Sequence, residues 1–302
     1  MILTIQNGSV KNRKSQSRRH RLSLNGARVI GIARFPVKSM SGERIQRCSV
    51  TERGLHGDRV FAVIDQETGK VASAKHPAMW RELLLHSARL VHENEMSLEV
   101  TTPRGEMHHL PSDAANESLS RELKRAVAYN SQAPKAMKLD RLDPTSLIDK
   151  TAEVSIEQQL IARAAPEGTF FDFGPLHIIT TNTLATLSST GTVDLTDAAR
   201  FRANIIVDCP DGGGGFIENT WTGRTLRFGD ELSVRIITPT PRCAVPTLEH
   251  RGLSANVDIL RALVKYNRLE VRGVGARPCA GVYGHPISPG EIEIGAPVRF
   301  IE

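Results

Sequence analysis

The sequence predicts a mainly β protein in two parts, with a few helices. Three observations carry this. Short apolar-alternating runs recur at regular spacing and are bounded by Gly, Pro, Ser and Asn, the pattern of a small barrel or sandwich. Only a few stretches repeat their apolar residues at helical spacing. A polar stretch at 131–150, holding Pro134 and Pro144, separates two halves each long enough for its own core.

Taken in order, residues 29–37 form a first strand that ends at Pro36, and 38–42 make a small-residue turn. Residues 44–51 alternate as a second strand. Gly54 and Gly57 bound a turn that runs through Asp58 and Arg59 into a strand at 60–64. A hairpin turn at 66–69 leads to 71–75, and 83–91 and 96–102 are further strands. Leu119, Leu123, Ala126 and Val127 then predict a helix over 116–129. These elements form the first domain, 28–130, and 131–150 is expected to be a linker to the second, 151–302.

The second half opens with a short amphipathic segment at 152–165. Residues 176–180 are a strand that hands over at Thr180, Thr181, Asn182 and Thr183 to a helix over 184–187. Those hydroxyl and amide side chains are good N-caps, and a helix start can also hold an anion. Residues 201–207 are a strand carrying Arg202 and Asn204 on one face. Gly212 to Gly215 form a loop without a following Lys-Ser/Thr, so no phosphate-binding P-loop is present. Residues 222–231 give a strand and turn, 232–237 a strand, 256–266 a helix, and 282–301 strands split at Pro289-Gly290. There is no internal repeat.

Composition narrows the function classes. The chain has 39 basic and 33 acidic residues. Six of the bases (Lys11, Arg13, Lys14, Arg18, Arg19 and Arg21) lie in residues 1–27, which hold no Asp or Glu, so the remainder is formally neutral. The net +6 belongs to a basic tail, expected to be disordered, and gives no support to a nucleic-acid face. That tail lacks the apolar core of a secretory signal. No apolar run is long enough to span a membrane. Cys48, Cys209, Cys243 and Cys279 are scattered, with no C-x-x-C, which argues for a reducing, cytoplasmic setting over a disulfide framework or structural zinc site.

One cysteine stands apart. Cys243 follows a strand and sits among Pro239, Pro241 and Pro246, with Arg242 beside it. Proline-stiffened backbone at a strand end is a poor place to pack a side chain away, and a guanidinium favours the thiolate that attacks and ligates metals. Lys38, Arg59, Arg202 and Arg242 fall at strand ends or turns, where cations can hold a phosphate.

These residues resemble a known family. Phe35-Pro-Val-Lys-Ser39, Gly54-Leu-His-Gly-Asp-Arg59, Ala72-Ser-Ala-Lys75, Phe170-Phe-Asp-Phe173, His177-Ile-Ile-Thr-Thr181, Arg200-Phe-Arg-Ala-Asn-Ile205, Glu218-Asn-Thr-Trp221, Thr240-Pro-Arg-Cys243 and Cys279-Ala-Gly-Val-Tyr283 occur in family order over 28–302. They are similar to proteins in which a β-barrel MOSC domain follows its N-terminal β-barrel partner. The nearest members are the molybdoenzymes that reduce amidoximes and other N-hydroxylated compounds.

The resemblance implies a molybdenum cofactor (molybdopterin) with Cys243 as the protein's thiolate ligand to the metal. It implies that Lys38, Ser39, Arg59, Arg202 and Arg242 grip the pterin and its phosphate, with hydrogen bonds from Asn204, Thr180, Thr181 and Thr183. Glu218 is the implied proton-handling residue. Pro246, Asn219 and Ala296 depart from the family pattern; the second removes a carboxylate beside Glu218. Because the sequence ends at Glu302 without a cysteine cluster, electrons are expected from a separate donor protein of ferredoxin, flavoprotein or cytochrome type. The alternatives are a carrier holding a persulfide on Cys243 and a non-catalytic cofactor store.

Overall fold

The computed structural model describes residues 24–92, 96–133, 136–149, 151–161, 164–191 and 195–301. The basic segment 1–23 and Pro134 lie outside them. Leu24 and Ala27, assigned to the tail, are buried in the main core.

The largest sheet has the strand order Val298–Ile301, Thr225–Phe228, Leu232–Pro241, Gly275–Ser288, Leu176–Thr180, Ile205–Asp208, Arg28–Arg34, Glu43–Ile45. Arg268–Val271 pairs with Gly275–Ser288 off this path. Neighbours are antiparallel except Leu176–Thr180 and Ile205–Asp208, which run parallel across the helix Thr181–Ser189. The expectation of closed barrels is corrected: the ladders leave every sheet open. The main sheet curls until a lone bridge joins Arg28 to Pro297, with Val29 N–H donating to Ala296 O at 2.9 Å. Strand twist brings the ends this near without a full ladder.

Both halves of the chain build this sheet and a separate three-stranded one. Arg28–Arg34 pairs with Ile205–Asp208, and Gly290–Glu293 returns to pair with Arg47–Thr51. The core accordingly mixes Val29, Ile32 and Val50 with Trp221, Phe228 and Val282. Each such large side chain contributes about 1.5–3 kcal/mol on burial. A second core, from Val37 through Leu83, Leu98 and Leu119 to Val127, lies under the first half's hairpins.

Several expected elements changed. The helix over 116–129 is Asp113–Leu123, because Lys124 turns left-handed (φ 52°) and the chain then pairs Val127–Asn130 with Ala62–Asp65. The stretch 131–150 carries a strand, Lys138–Leu142, paired with Ile156–Leu160, so the segment read as amphipathic is extended and ladder-bound. The strand over 201–207 begins only at Ile205, because Arg202 has φ 53°. Leu232–Pro241 runs through its prolines, with irregularities after Ile236 and Pro239 that accommodate the missing donors.

Gly281 lets Gly275–Ser288 approach Leu176–Thr180 closely. It has φ +76°, and a Cβ there would meet Ile178 O at 2.6 Å and the His177 ring. Gly281→Ala is therefore expected to cost at least about 2 kcal/mol, seen as a lower urea midpoint at unchanged slope.

Candidate functional site

The loops at one end of these strands converge on a solvent-open cleft of about 650 Å³. Lys38 and Ser39 arrive on the turn after Arg28–Arg34, and Arg59 on the next turn. Arg202 and Asn204 come from the approach to Ile205–Asp208, and Arg242 and Cys243 from the end of Leu232–Pro241. Five cations (Lys38, Arg59, Lys75, Arg202 and Arg242) line the cleft against one carboxylate, Asp172.

Backbone strain concentrates here. Six described residues other than glycine have positive φ, and Ser39 (66°), Arg59 (50°) and Arg202 (53°) all line the cleft. Each such conformation costs on the order of 1 kcal/mol, and surrounding bonds must hold it. Arg59 N–H donates to Phe35 O at 2.9 Å. Its guanidinium donates to Asp58 Oδ2 and, through Nη2, to Arg202 O at 3.3 Å. The Arg202 guanidinium donates to Met40 O. Both guanidinium groups lie over the Phe35 ring, at 4.6 and 4.4 Å, where the π face offsets part of their repulsion.

Two lysines share one carboxylate. Lys38 Nζ donates to Asp172 Oδ1 at 2.6 Å and to Phe170 O at 2.8 Å, and Lys75 Nζ lies 3.0 Å from the same Oδ1. Burial, with the Lys75 and Arg59 charges, lowers the Lys38 ammonium to about 8 against the pull of Asp172. Burial opposes ionisation of Asp172, yet the two lysines hold it below the usual carboxylate range. His177 is pushed down to about 3 by burial and by Arg242, so it is neutral, with Nε2 3.1 Å from Ala280 O.

Cys243 is half-buried, whereas Cys48, Cys209 and Cys279 are buried. It packs beside Ala74, Leu84 and Val245. Arg242, itself buried, donates Nη2 to Phe201 O at 3.0 Å, while its buried Nε has no partner among the described residues. An unsatisfied guanidinium N–H at a cleft wall costs free energy that an anionic ligand would recover.

Of the residues singled out in the sequence, Lys38, Ser39, Arg59, Arg202, Asn204, Arg242 and Cys243 line this cleft. Asn204 does so as a brace: Oδ1 accepts from His177 N–H at 3.1 Å, and Nδ2 donates to Asp58 Oδ2 at 3.0 Å and Ala33 O at 3.2 Å. Thr180, Thr181, Thr183 and Glu218 do not line it. Thr180 Oγ1 caps the helix by accepting from Thr183 N–H at 3.2 Å. Thr180 and Thr183 donate their hydroxyls to Glu218 at 2.7 and 2.6 Å, and Thr181 donates to Asp208 at 2.9 Å. Burial raises the Glu218 carboxyl despite these donors. Sequence reasoning assigned no role to Lys75, Asp172, His177 and Tyr283, which also line the cleft. Each sits in a segment that carried the family resemblance, and that was the available signal.

Comparison with known proteins bears on this arrangement. The family model of the MOSC N-terminal beta barrel domain matches residues 26–138, and that of the MOSC domain matches residues 166–299. No curated protein matches the chain. Among solved structures, the YuaD protein from Bacillus subtilis is similar over 91% of this chain and 97% of its own, at 10% identity and a TM-score of 0.41. YiiM from Geobacillus stearothermophilus is similar over 43% of this chain and 55% of its own, at 17% identity and a TM-score of 0.31.

The cleft's charge makes a pH prediction. Lys38 is charged below a pH of about 8 and neutral above it, so one anion-binding charge disappears as pH rises through that value. Titration with sulfate, whose own charge is constant there, is expected to show affinity falling by about tenfold across that window. In Lys38→Met, sulfate should bind more weakly throughout and lose this dependence.

Proposed function

Since the chain belongs to the proteins that join a MOSC N-terminal beta barrel domain to a MOSC domain, we propose that its cleft holds a molybdenum cofactor and that the protein is an oxidoreductase acting on N-hydroxylated compounds. MOSC domains are associated with this cofactor in general. The observation that carries the reading is the convergence of five cations, an unpartnered Arg242 Nε and a half-buried thiol on one cleft.

The residues fit such a group. Lys38, Arg59, Arg202 and Arg242 suit its phosphate, and the Cys243 thiolate is a soft donor suited to molybdenum. Among the described residues no three His, Cys, Asp or Glu side chains gather as a metal site, so a metal here would depend on donors that the cofactor brings. When bound, the cofactor supplies two-electron redox chemistry at its metal.

The chain's own part is binding, orientation and proton handling. Reducing R–NH–OH to R–NH₂ and water takes two electrons and two protons. The electrons come from a separate redox protein. Lys38 Nζ, lowered to about 8 by burial, can give up and regain a proton within the cleft. Neutral His177 and the hydrogen bonds that hold Arg59 and Arg202 keep the wall fixed while substrate exchanges. Carriage of sulfur as a Cys243 persulfide is the competing reading. It gives no reason for the cations, because a persulfide needs no phosphate grip.

The test is molybdenum and pterin content after expression in a host that makes the cofactor. The wild-type protein is expected to carry both in stoichiometric amount and to reduce hydroxylamine-type substrates when given an artificial electron donor. Cys243→Ser should lose activity and release its metal readily, and Arg242→Ala should lose pterin. Wild-type protein with neither molybdenum nor pterin would overturn the reading.

A further inference from the structure

A second cleft, of about 1000 Å³, lies behind the wall formed by Arg202 and Phe35. Arg202 lines both clefts, whereas Phe35 lines only this one. Its floor is apolar: Ala198, Ala203, Ile206 and Leu253 face it, and the alanines leave the space open. Its charge is one-sided. Arg44, Arg202 and Arg251 line it against one carboxylate, Glu43.

That carboxylate is already engaged. Glu43 Oε1 accepts from Arg34 Nε at 2.9 Å and from Leu90 N–H at 2.9 Å. Arg251 donates Nη1 to Thr102 O at 3.1 Å, a neutral acceptor that leaves its charge uncompensated. Arg44 is exposed on the edge strand Glu43–Ile45, and its side chain has no hydrogen bond or ion pair among the described residues. His250, also in the lining, is pushed down to about 4 by burial, donates Nε2–H to Val245 O at 2.9 Å, and adds no charge near neutrality.

We infer that this second cleft is a binding site for an organic monocarboxylate with an apolar body. The apolar floor takes the body, and the guanidinium groups take the carboxylate in paired, charge-assisted bonds. A free phosphate would gain nothing from the floor, and a neutral apolar molecule would leave the guanidinium groups unpaired. The inference does not rest on the cofactor reading, since only Arg202 is common to the two linings.

The probe is octanoate, titrated calorimetrically into the purified chain, with octanol and inorganic phosphate as controls and with circular dichroism confirming that each variant is folded. Octanoate is expected to bind at one site per chain, octanol more weakly by about tenfold or more. Arg44→Ala should weaken octanoate by about tenfold, and Ala199→Trp, at an exposed lining position, should abolish binding by filling the cleft. Arg242→Ala, which lies outside the second cleft's lining, should weaken octanoate far less than Arg44→Ala. Absence of binding to wild type overturns the site, as does binding that survives both Arg44→Ala and Ala199→Trp. Binding lost in Arg242→Ala but kept in Arg44→Ala places the molecule in the first cleft and equally overturns it. None of these outcomes touches molybdenum or pterin content, so this inference and the cofactor reading fail separately.

Discussion

Much of the cleft depends on one buried carboxylate. The Asp58 side chain is fully buried, and an ion there survives only if its lone pairs are filled. Phe35 N–H donates to Oδ1 at 2.6 Å, Asn204 Nδ2 to Oδ2 at 3.0 Å, and the Arg59 guanidinium to Oδ2. These donors come from the end of the first strand, the approach to Ile205–Asp208, and the turn that carries Asp58 itself. Asn204 in turn holds His177, whose chain segment faces Gly281. A single desolvated charge thus joins both halves of the chain at the point where the cleft forms.

The arrangement is electrostatically expensive. Arg59, Arg202 and Arg242 are partly buried together with two lysines, and Asp172 and Asp58 do not neutralise them. The guanidinium and ammonium groups donate instead to the carbonyls of Phe170, Phe201, Arg202 and Met40 and lie on aromatic rings. Such contacts satisfy N–H groups without cancelling charge. The depressed Lys38 and the lone Arg242 Nε are what remains uncompensated. Proteins accept that loss of stability where a ligand restores it, and an anion in the cleft would do so.

How much was legible in the sequence depends on the range of each interaction. Strands such as Leu176–Thr180 and Thr225–Phe228 were visible because alternation is local. The Asp113–Leu123 helix was overextended because Val127 fits the helical spacing, while its partner across the ladder, Asp65, is distant in sequence. Open sheets were read as barrels because edge closure depends on twist, which no local pattern encodes. In the cleft, cations at strand ends were identifiable, but Asp172 and Lys75 needed knowledge of which loops meet. That Thr180 and Thr183 turn to Glu218, away from the cleft lining, was hidden for the same reason. Hydroxyls at a helix start look alike whether they face a ligand or a buried carboxylate.

The half-exposure of one thiol among four shows how chain geometry alone can single out a residue. Burial pushes Cys209 and Cys279 up to about 12, and Cys48 donates to Ser49 O at 3.3 Å inside the main core. Those three are small hydrophobes in function. Cys243 differs because the sheet ends just before it. Pro241 makes the last pairing with Cys279, Arg242 N–H closes the ladder on Pro278 O at 2.8 Å, and the chain then turns into Val245–Thr247. The first residue released from the ladder is the cysteine, and the ladder's last residue delivers a guanidinium beside it. Proline after proline keeps this exit stiff, so the thiol is held at the cleft wall instead of being drawn into either core.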